Sequence, residues 1–291
     1  MQTALQIIAT GLQIGAIYVL FSLGLTLTFG IMRIVNFAHG QFFTLSALVV
    51  AVAMPYLASA GLPLPAAFAG SAAAGVAASL LLGLVTYEWG FKRLQRDFVG
   101  SFILSLGLIL LLEGLYLDVF GGAVRSVPPI VDGTVSVFGA SLTSQRLLLC
   151  FVAVVLTGLL YAALAMTPVG KALRAASIDH EAAMLQGIPY QRIARHGFMI
   201  ATLLAAVAGA LIAPVSVVTT TLGSDYLIKG FIAVIVGGLG SIPGAIVGSL
   251  FIALVESVGG YFFDPSRASI AIFALVMVVL LVRPQGLMGH G

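Results

Sequence analysis

Long apolar runs, each interrupted by a short polar, glycine- or proline-bearing stretch, make up almost the whole chain. A membrane-crossing helix needs about 20 consecutive apolar residues. The first run, about Ala4–Gly30, meets that length and carries no charge; Arg33 is the first charged residue. Ile34 to Thr86 is also free of formal charge. It divides into spans at about Gln41–Leu57 and Leu64–Tyr87, with Pro55, Gly61, Pro63 and Pro65 marking the turn, because these residues interrupt helices. Further spans are expected at about Val99–Val119, Leu147–Met166, Gly197–Val218 (with Pro214 inside it) and Ser266–Val282. Phe231–Val255 is apolar but crowded with glycine and breaks at Gly237–Gly244. It reads as a short or re-entrant piece followed by one span. The pattern predicts an all-α membrane protein with about eight transmembrane helices, discontinuous or re-entrant near 31–41 and 231–244.

Composition strengthens this reading. Hydrophobic residues are 60% of the 291-residue chain and charged residues only 8%, against roughly 25% charged in soluble domains. So few charges cannot cover a water-facing surface, whereas lipid suits it. The uncharged first segment lacks the basic start of a cleavable leader and reads as a span. The net charge of +3 comes from Lys and Arg too scattered for nucleic-acid binding. They serve better as topology marks. Lys92, Arg93 and Arg96 form one basic loop; Lys171, Arg174, Arg192 and Arg195 lie in another, about 167–196. Both are expected in the cytoplasm, two spans apart. The polar loop of about 121–145 is then outside, the N-terminus outside and the C-terminus cytoplasmic. Within that loop Gly133–Gly139 alternates as a short strand would. Cys150 is single and sits in an apolar run, where it acts as a small hydrophobe.

Four features could carry function. The first is the break after the first span, where Asn36, His39 and Gln41 interrupt an apolar run. Polar side chains in a membrane are costly unless paired or lining a cavity. Taken singly each fits a packing turn; as a cluster they fit the wall of a substrate path, which discontinuous helices tend to line. The second is the glycine series. Gly244 and Gly248, spaced by four, fit close helix packing. Gly237, Gly238, Gly240 and Ser241 form a break tolerated at membrane depth only against protein or a water-filled cavity. The two breaks are candidate counterparts in an internally repeated fold. The third is the segment Thr167–Gly187. Leu173, Ala176, Met184 and Leu185 give it an apolar stripe, while Lys171, Arg174, Asp179 and Glu181 face elsewhere, and Gly187 with Pro189 ends it. It fits either an interfacial helix on lipid headgroups or a docking helix for a cytoplasmic partner. The fourth is a set of carboxylates, Glu88, Glu113, Asp118 and Glu256, which read as hydrated or paired groups near membrane edges.

No phosphate-binding loop, metal-spaced His/Cys cluster or nucleophile elbow is spelled by the sequence. Enzymatic chemistry, and any cofactor, has no visible support. Active transport would need a separate motor.

Several blocks, in order along the chain, resemble the permease subunits of ABC importers for branched-chain amino acids, whose relatives import urea, short amides and aromatic acids. They are Val35-Asn-Phe-Ala-His-Gly40, Gly170-Lys-Ala-Leu-Arg-Ala through Gly187-Ile188, Gly237-Gly-Leu-Gly-Ser-Ile-Pro-Gly244 and Arg283-Pro-Gln-Gly-Leu287. The resemblance is to the shorter of the two permease types. It implies a second homologous permease, two cytoplasmic ATPases and a periplasmic or extracellular binding protein, in a bacterial or archaeal cell membrane (the inner one if Gram-negative). It implies that Thr167–Gly187 docks in the ATPase cleft, with Glu181-Ala-Ala-Met-Leu-Gln-Gly187 matching a spacing common in importer permeases. Position 41 is Gln where many relatives carry Glu, which removes a charge from the expected path. The residues alone leave a stand-alone channel or an ion-coupled carrier open.

Overall fold

A computed structural model describes residues 2–95, 97–137, 140–263, 265–283 and 285–288. Arg96, Gly139 and Pro284 of the expectations above lie outside them. The chain runs α1 (Gln2–Met32), α2 (His39–Ser59), α3 (Leu64–Trp89), a 3-10 turn at Phe91–Arg93 and α4 (Phe98–Phe120). A hairpin of β1 (Thr134–Val137) and β2 (Ala140–Thr143) follows, then α5 (Ser144–Met166), α6 (Pro168–Ile178) and α7 (His180–Leu185). The last elements are α8 (Tyr190–Ile212), α9 (Leu222–Gly237), α10 (Ile242–Phe262) and α11 (Pro265–Val282). Seven helices are long and apolar enough to cross a membrane, and Ser269–Val282 is a shorter apolar one. At 16 residues, α9 reaches about 24 Å, short of a bilayer core of about 30 Å. The protein is therefore an all-α membrane protein, and α9 is of re-entrant length.

Three expectations are corrected by the helix boundaries. Pro55 does not mark a turn; it lies inside α2, and the reversal comes after Ser59. Pro214 lies beyond α8, not within it. That helix starts at Tyr190 and takes over the polar residues Arg192 and Arg195. Its first turns extend past the apolar stretch, and Arg195 pairs with Glu88 of α3 at 3.4 Å. The amphipathic segment is two helices. The chain breaks at Asp179, whose carboxylate caps α7 by accepting from the N–H groups of Glu181 and Ala182. The break shifts the helical phase. Leu173 and Ala176 are buried as expected, joined by Ala183, while Met184 and Leu185 turn outward.

Helix α1 is the axis of the molecule, buried almost continuously from Gly15 to Thr28. It packs against α10, α8, α5 and α9. Lipid supplies no hydrophobic drive between helices, so close approach by small residues does the work. Gly11 and Gly15 face Leu254 and Leu250 of α10, Gly83 faces Thr202, and Gly209 lies on the Phe43 backbone. Aromatic rings fill the wider gaps: Phe198 is within 6.0 Å of Phe42, Tyr87 and Phe91. By contrast α4, α5 and α11 present large apolar side chains outward.

Two chain reversals set the architecture. After α1, Arg33 takes a left-handed conformation (φ 51°), and the chain turns back on itself. Helix α2 then begins beside the middle of α1, with His39 against Phe21 at 4.9 Å and against Gly24. That is 8 to 11 residues back from Met32, about 12–16 Å. After α8 the chain does the same in the opposite sense. Helix α9 starts at Leu222, with Tyr226 against Tyr18 and Phe43. Further along, the Gly230 carbonyl accepts from Ser22 Oγ at 3.2 Å. Because Gly197 packs on Ile31 and the Ala201 carbonyl lies by Gly24, α8 is antiparallel to α1. The units α1–α2–α3 and α8–α9–α10 are thus inverted relatives of one another. The counterpart of the first break is the stretch 213–221, not Gly237–Gly244. Gly40 and Gly223, at the two helix starts, touch backbone to backbone, and a Cβ on either would collide with the other's carbonyl.

Candidate functional site

The first break places its polar residues in the interior. Asn36, His39 and Gln41 are 3%, 1% and 1% exposed. Asn36 lies in the extended link, and His39 and Gln41 in the first turn of α2. The Nδ2 and Oδ1 of Asn36, both ring nitrogens of His39 and the Oε1 of Gln41 have no hydrogen-bond partner among the described residues. An unmade bond at a buried polar group costs about 1–3 kcal/mol.

Gln41 reaches a residue that the sequence reading set at a membrane edge. Its Nε2 donates to Glu113 Oε1 at 3.2 Å. Ser224 Oγ of α9 donates to the same oxygen at 2.6 Å. Tyr116 OH, one turn along α4, donates to the Gln41 carbonyl at 3.0 Å. Across the helix starts, the Gly223 N–H donates to Thr44 Oγ1 at 2.9 Å. Glu113 lies seven residues before the end of α4, about 10 Å inward, and is half-buried. Phe37 closes one side, 5.4 Å from Phe102 and 5.2 Å from Phe231. Two helix N-termini and one carboxylate therefore converge. Sequence reading missed Glu113, Gly223 and Ser224. The available signal was a carboxylate well inside an apolar helix, and a Gly-polar pair (Gly223-Ser224) echoing Gly40-Gln41.

The second break lies elsewhere. Gly240 abuts Gly30 of α1, six residues and about 9 Å along α1 from Gly24. Gly238 and Gly240 take φ of 112° and 83°, which glycine alone adopts readily. Gly237, Gly244 and Gly248 let α9 and α10 meet backbone to backbone. Ser241 caps α10 by accepting from the Gly244 N–H. A cavity of about 30 Å³ there is lined by Gly30, Ile31, Arg174, Gly240 and Ile242 among others. The structure brings this break to the α6 helix rather than to Asn36–Gln41.

At the same end of α1, Tyr190 OH donates to the Ile31 carbonyl at 3.1 Å, and the His180 ring rests on Tyr190 at 5.7 Å. Lys171, Arg174, Asp179 and Glu181 all face outward. Backbone N–H groups, first that of Ala182, hold the Asp179 carboxyl below its ordinary pKa. Gly187 ends α7 at φ 80°. Ile178 and Leu185 stand 80% and 87% exposed beside these charges. Lys92 and Arg195 meet at Glu88 at this end as well. The 121–145 loop occupies the other end of α1, where Gln6 exchanges hydrogen bonds with Ser141 and Arg125 pairs with Val218. Among the described residues, no group of three His, Cys, Asp or Glu could hold a metal ion.

The family described as branched-chain amino acid transport system / permease component matches residues 7–282. The chain is 29% identical over 296 residues to the high-affinity branched-chain amino acid transport system permease protein BraD of Pseudomonas aeruginosa, covering 98% of this chain and 96% of that one. It is 28% identical over 301 residues to LivH of Salmonella typhimurium, with the same coverage. A probable LivH of Methanocaldococcus jannaschii is 28% identical over 292 residues, covering 93% and 88%. No solved structure matches. With residues 7–282 matched by the family, this chain belongs to the branched-chain amino acid transport permeases.

Proposed function

We propose that this chain is a membrane subunit of an ATP-driven importer for branched-chain or related small amino acids, working by alternating access. The observation that carries the reading is the meeting of two half-helix starts, at Gly40 and Gly223, beside buried polar atoms without partners. Discontinuous helices of inverted repeats place binding sites at such a meeting point. Asn36, His39 and Gln41 line the substrate path, and Gly237, Gly238, Gly240 and Ser241 form its far end near α6. Gly244 and Gly248 pack that end.

The basic end, with Lys92, Lys171 and Arg195, is cytoplasmic by the positive-inside rule. The N-terminus of α1 and the 121–145 loop are then outside, where a loaded binding protein docks, and the C-terminus is cytoplasmic. Two ATPases and a second, homologous permease complete the assembly in the cell membrane. Exposed Ile178 and Leu185 flanking Asp179 and Glu181 suit an ATPase cleft. No bond chemistry falls to this chain.

Reconstitution tests this. With the second permease, the ATPases and the binding protein in liposomes, uptake of leucine should require ATP. Uptake by the chain alone, without an ATPase, would instead assign it to stand-alone channels or carriers. Glu181→Arg should uncouple ATP hydrolysis from uptake; intact coupling would remove that residue from the docking surface. Asn36→Leu together with His39→Leu should abolish uptake, and unchanged uptake would reduce the first break to packing.

A further inference from the structure

Glu113 is a carboxylate without a counter-ion in the described structure. None of the ion pairs among the described residues includes it. Its two hydrogen-bond donors, Gln41 Nε2 and Ser224 Oγ, are neutral and both fall on Oε1. Oε2 has no hydrogen bond among the described residues. Beside it, the Oε1 of Gln41 is buried and likewise without a donor. The amide is oriented sensibly, since turning it over would aim its oxygen at the carboxylate. The site thus offers two acceptors, one of them on a carboxylate, that no donor among the described residues meets. At membrane depth such a charge is expensive unless something pairs with it. A primary ammonium is the matching group, because it supplies a positive charge and three N–H donors in one compact head. The starts of α2 and α9 converge beside it with the N–H groups of His39, Gln41, Leu222, Gly223 and Ser224 already bonded within the chain, so what the site leaves unmet is an acceptor.

We propose that Glu113, braced by Gln41 and Ser224, binds the α-ammonium group of the transported amino acid as it passes the two half-helix starts. The proposal rests on the importer reading above and gives that path its charged contact. The charge missing at position 41 is supplied instead from α4.

The test uses the complete importer in proteoliposomes with radiolabelled leucine as the probe. Glu113→Gln keeps the acceptor for Gln41 and Ser224 but removes the charge. ATP-driven uptake should fall by roughly tenfold or more, the scale of one hydrogen bond to a charged group, while the subunits still co-purify. Glu113→Asp should recover part of it. Uptake unchanged in Glu113→Gln would overturn the proposal. Loss of co-purification with the second permease would overturn it too, by assigning the carboxylate to a cation on that subunit. Equilibrium binding of leucine by the purified permease pair is the second measurement, and it needs no ATP. Binding that Glu113→Gln leaves intact would refute the ammonium contact. A wild-type importer that binds leucine but shows no ATP-driven uptake would instead refute the importer reading.

Discussion

Glu113 and Glu256 both sit within apolar helices, yet their surroundings are opposite. Glu256 of α10 is closed off within the chain: Lys229 of α9 pairs with it, and Tyr18 OH donates to its other oxygen at 2.5 Å. Among the described residues Glu113 has only neutral donors, both on one oxygen. A carboxylate with its own cation and phenol has little left to offer a ligand, so Glu256 reads as a strut between α1, α9 and α10. A carboxylate that lacks a cation in a low-dielectric setting keeps most of its attraction for an incoming one. The difference separates structure from site more sharply than burial does, since both residues are only partly buried.

The comparison can be broken most forcefully at the strut. Lys229→Met leaves Glu256 with Tyr18 alone and should destabilise the protein by about 3–5 kcal/mol, seen as a lower thermal midpoint of the purified complex. Adding Glu256→Gln should recover much of that loss, whereas a strut role for Glu113 would make Glu113→Gln equally damaging to stability. Next in size, Gly223→Val forces a side chain onto the Gly40 carbonyl. Overpacking of this kind costs about 1–3 kcal/mol and should push Ser224 away from Glu113, lowering leucine uptake more than the stability loss alone explains. Gln41→Leu removes one donor from Glu113 and leaves Ser224 in place. Uptake should drop by several-fold, in line with about 0.5–1.5 kcal/mol for one hydrogen bond, with little change in midpoint. The smallest effect is expected at Asp179, a carboxylate outside the membrane served by backbone N–H groups. Its lowered pKa stabilises α7 above the ordinary carboxylate range, about pH 4, and that support is lost as pH falls through the lowered value. Asp179→Ala should loosen ATPase coupling at neutral pH while Asp179→Asn, which still caps, should not; hydrolysis measured against uptake checks both.

Much of the fold was legible along the chain. The spans near α3, α4 and α5 fall within a few residues of their expected ends, because an apolar run of membrane length has one stable outcome when lipid cannot satisfy a bare backbone. Proline placed the errors. Pro55 is absorbed near the end of α2 and Pro214 lies just past α8. The amphipathic pattern marked helix in Thr167–Gly187. Its split was missed because the cap at Asp179 acts over only two or three residues.

Sequence by itself determined that the chain lives in a bilayer, where most of its helices are interrupted and which permease family it resembles. These follow from local hydrophobicity, charge and short motifs. Only the tertiary structure decided that the first interruption meets the stretch before Gly223 rather than the Gly237–Gly244 break, and that Glu113 stands at that meeting without a cation among the described residues. The partners involved lie 72 and 111 residues from Glu113 in the chain. A side chain's energy in a membrane depends on what packs against it, and that is set by the inverted crossing of α1–α2 with α8–α9, which no local pattern encodes.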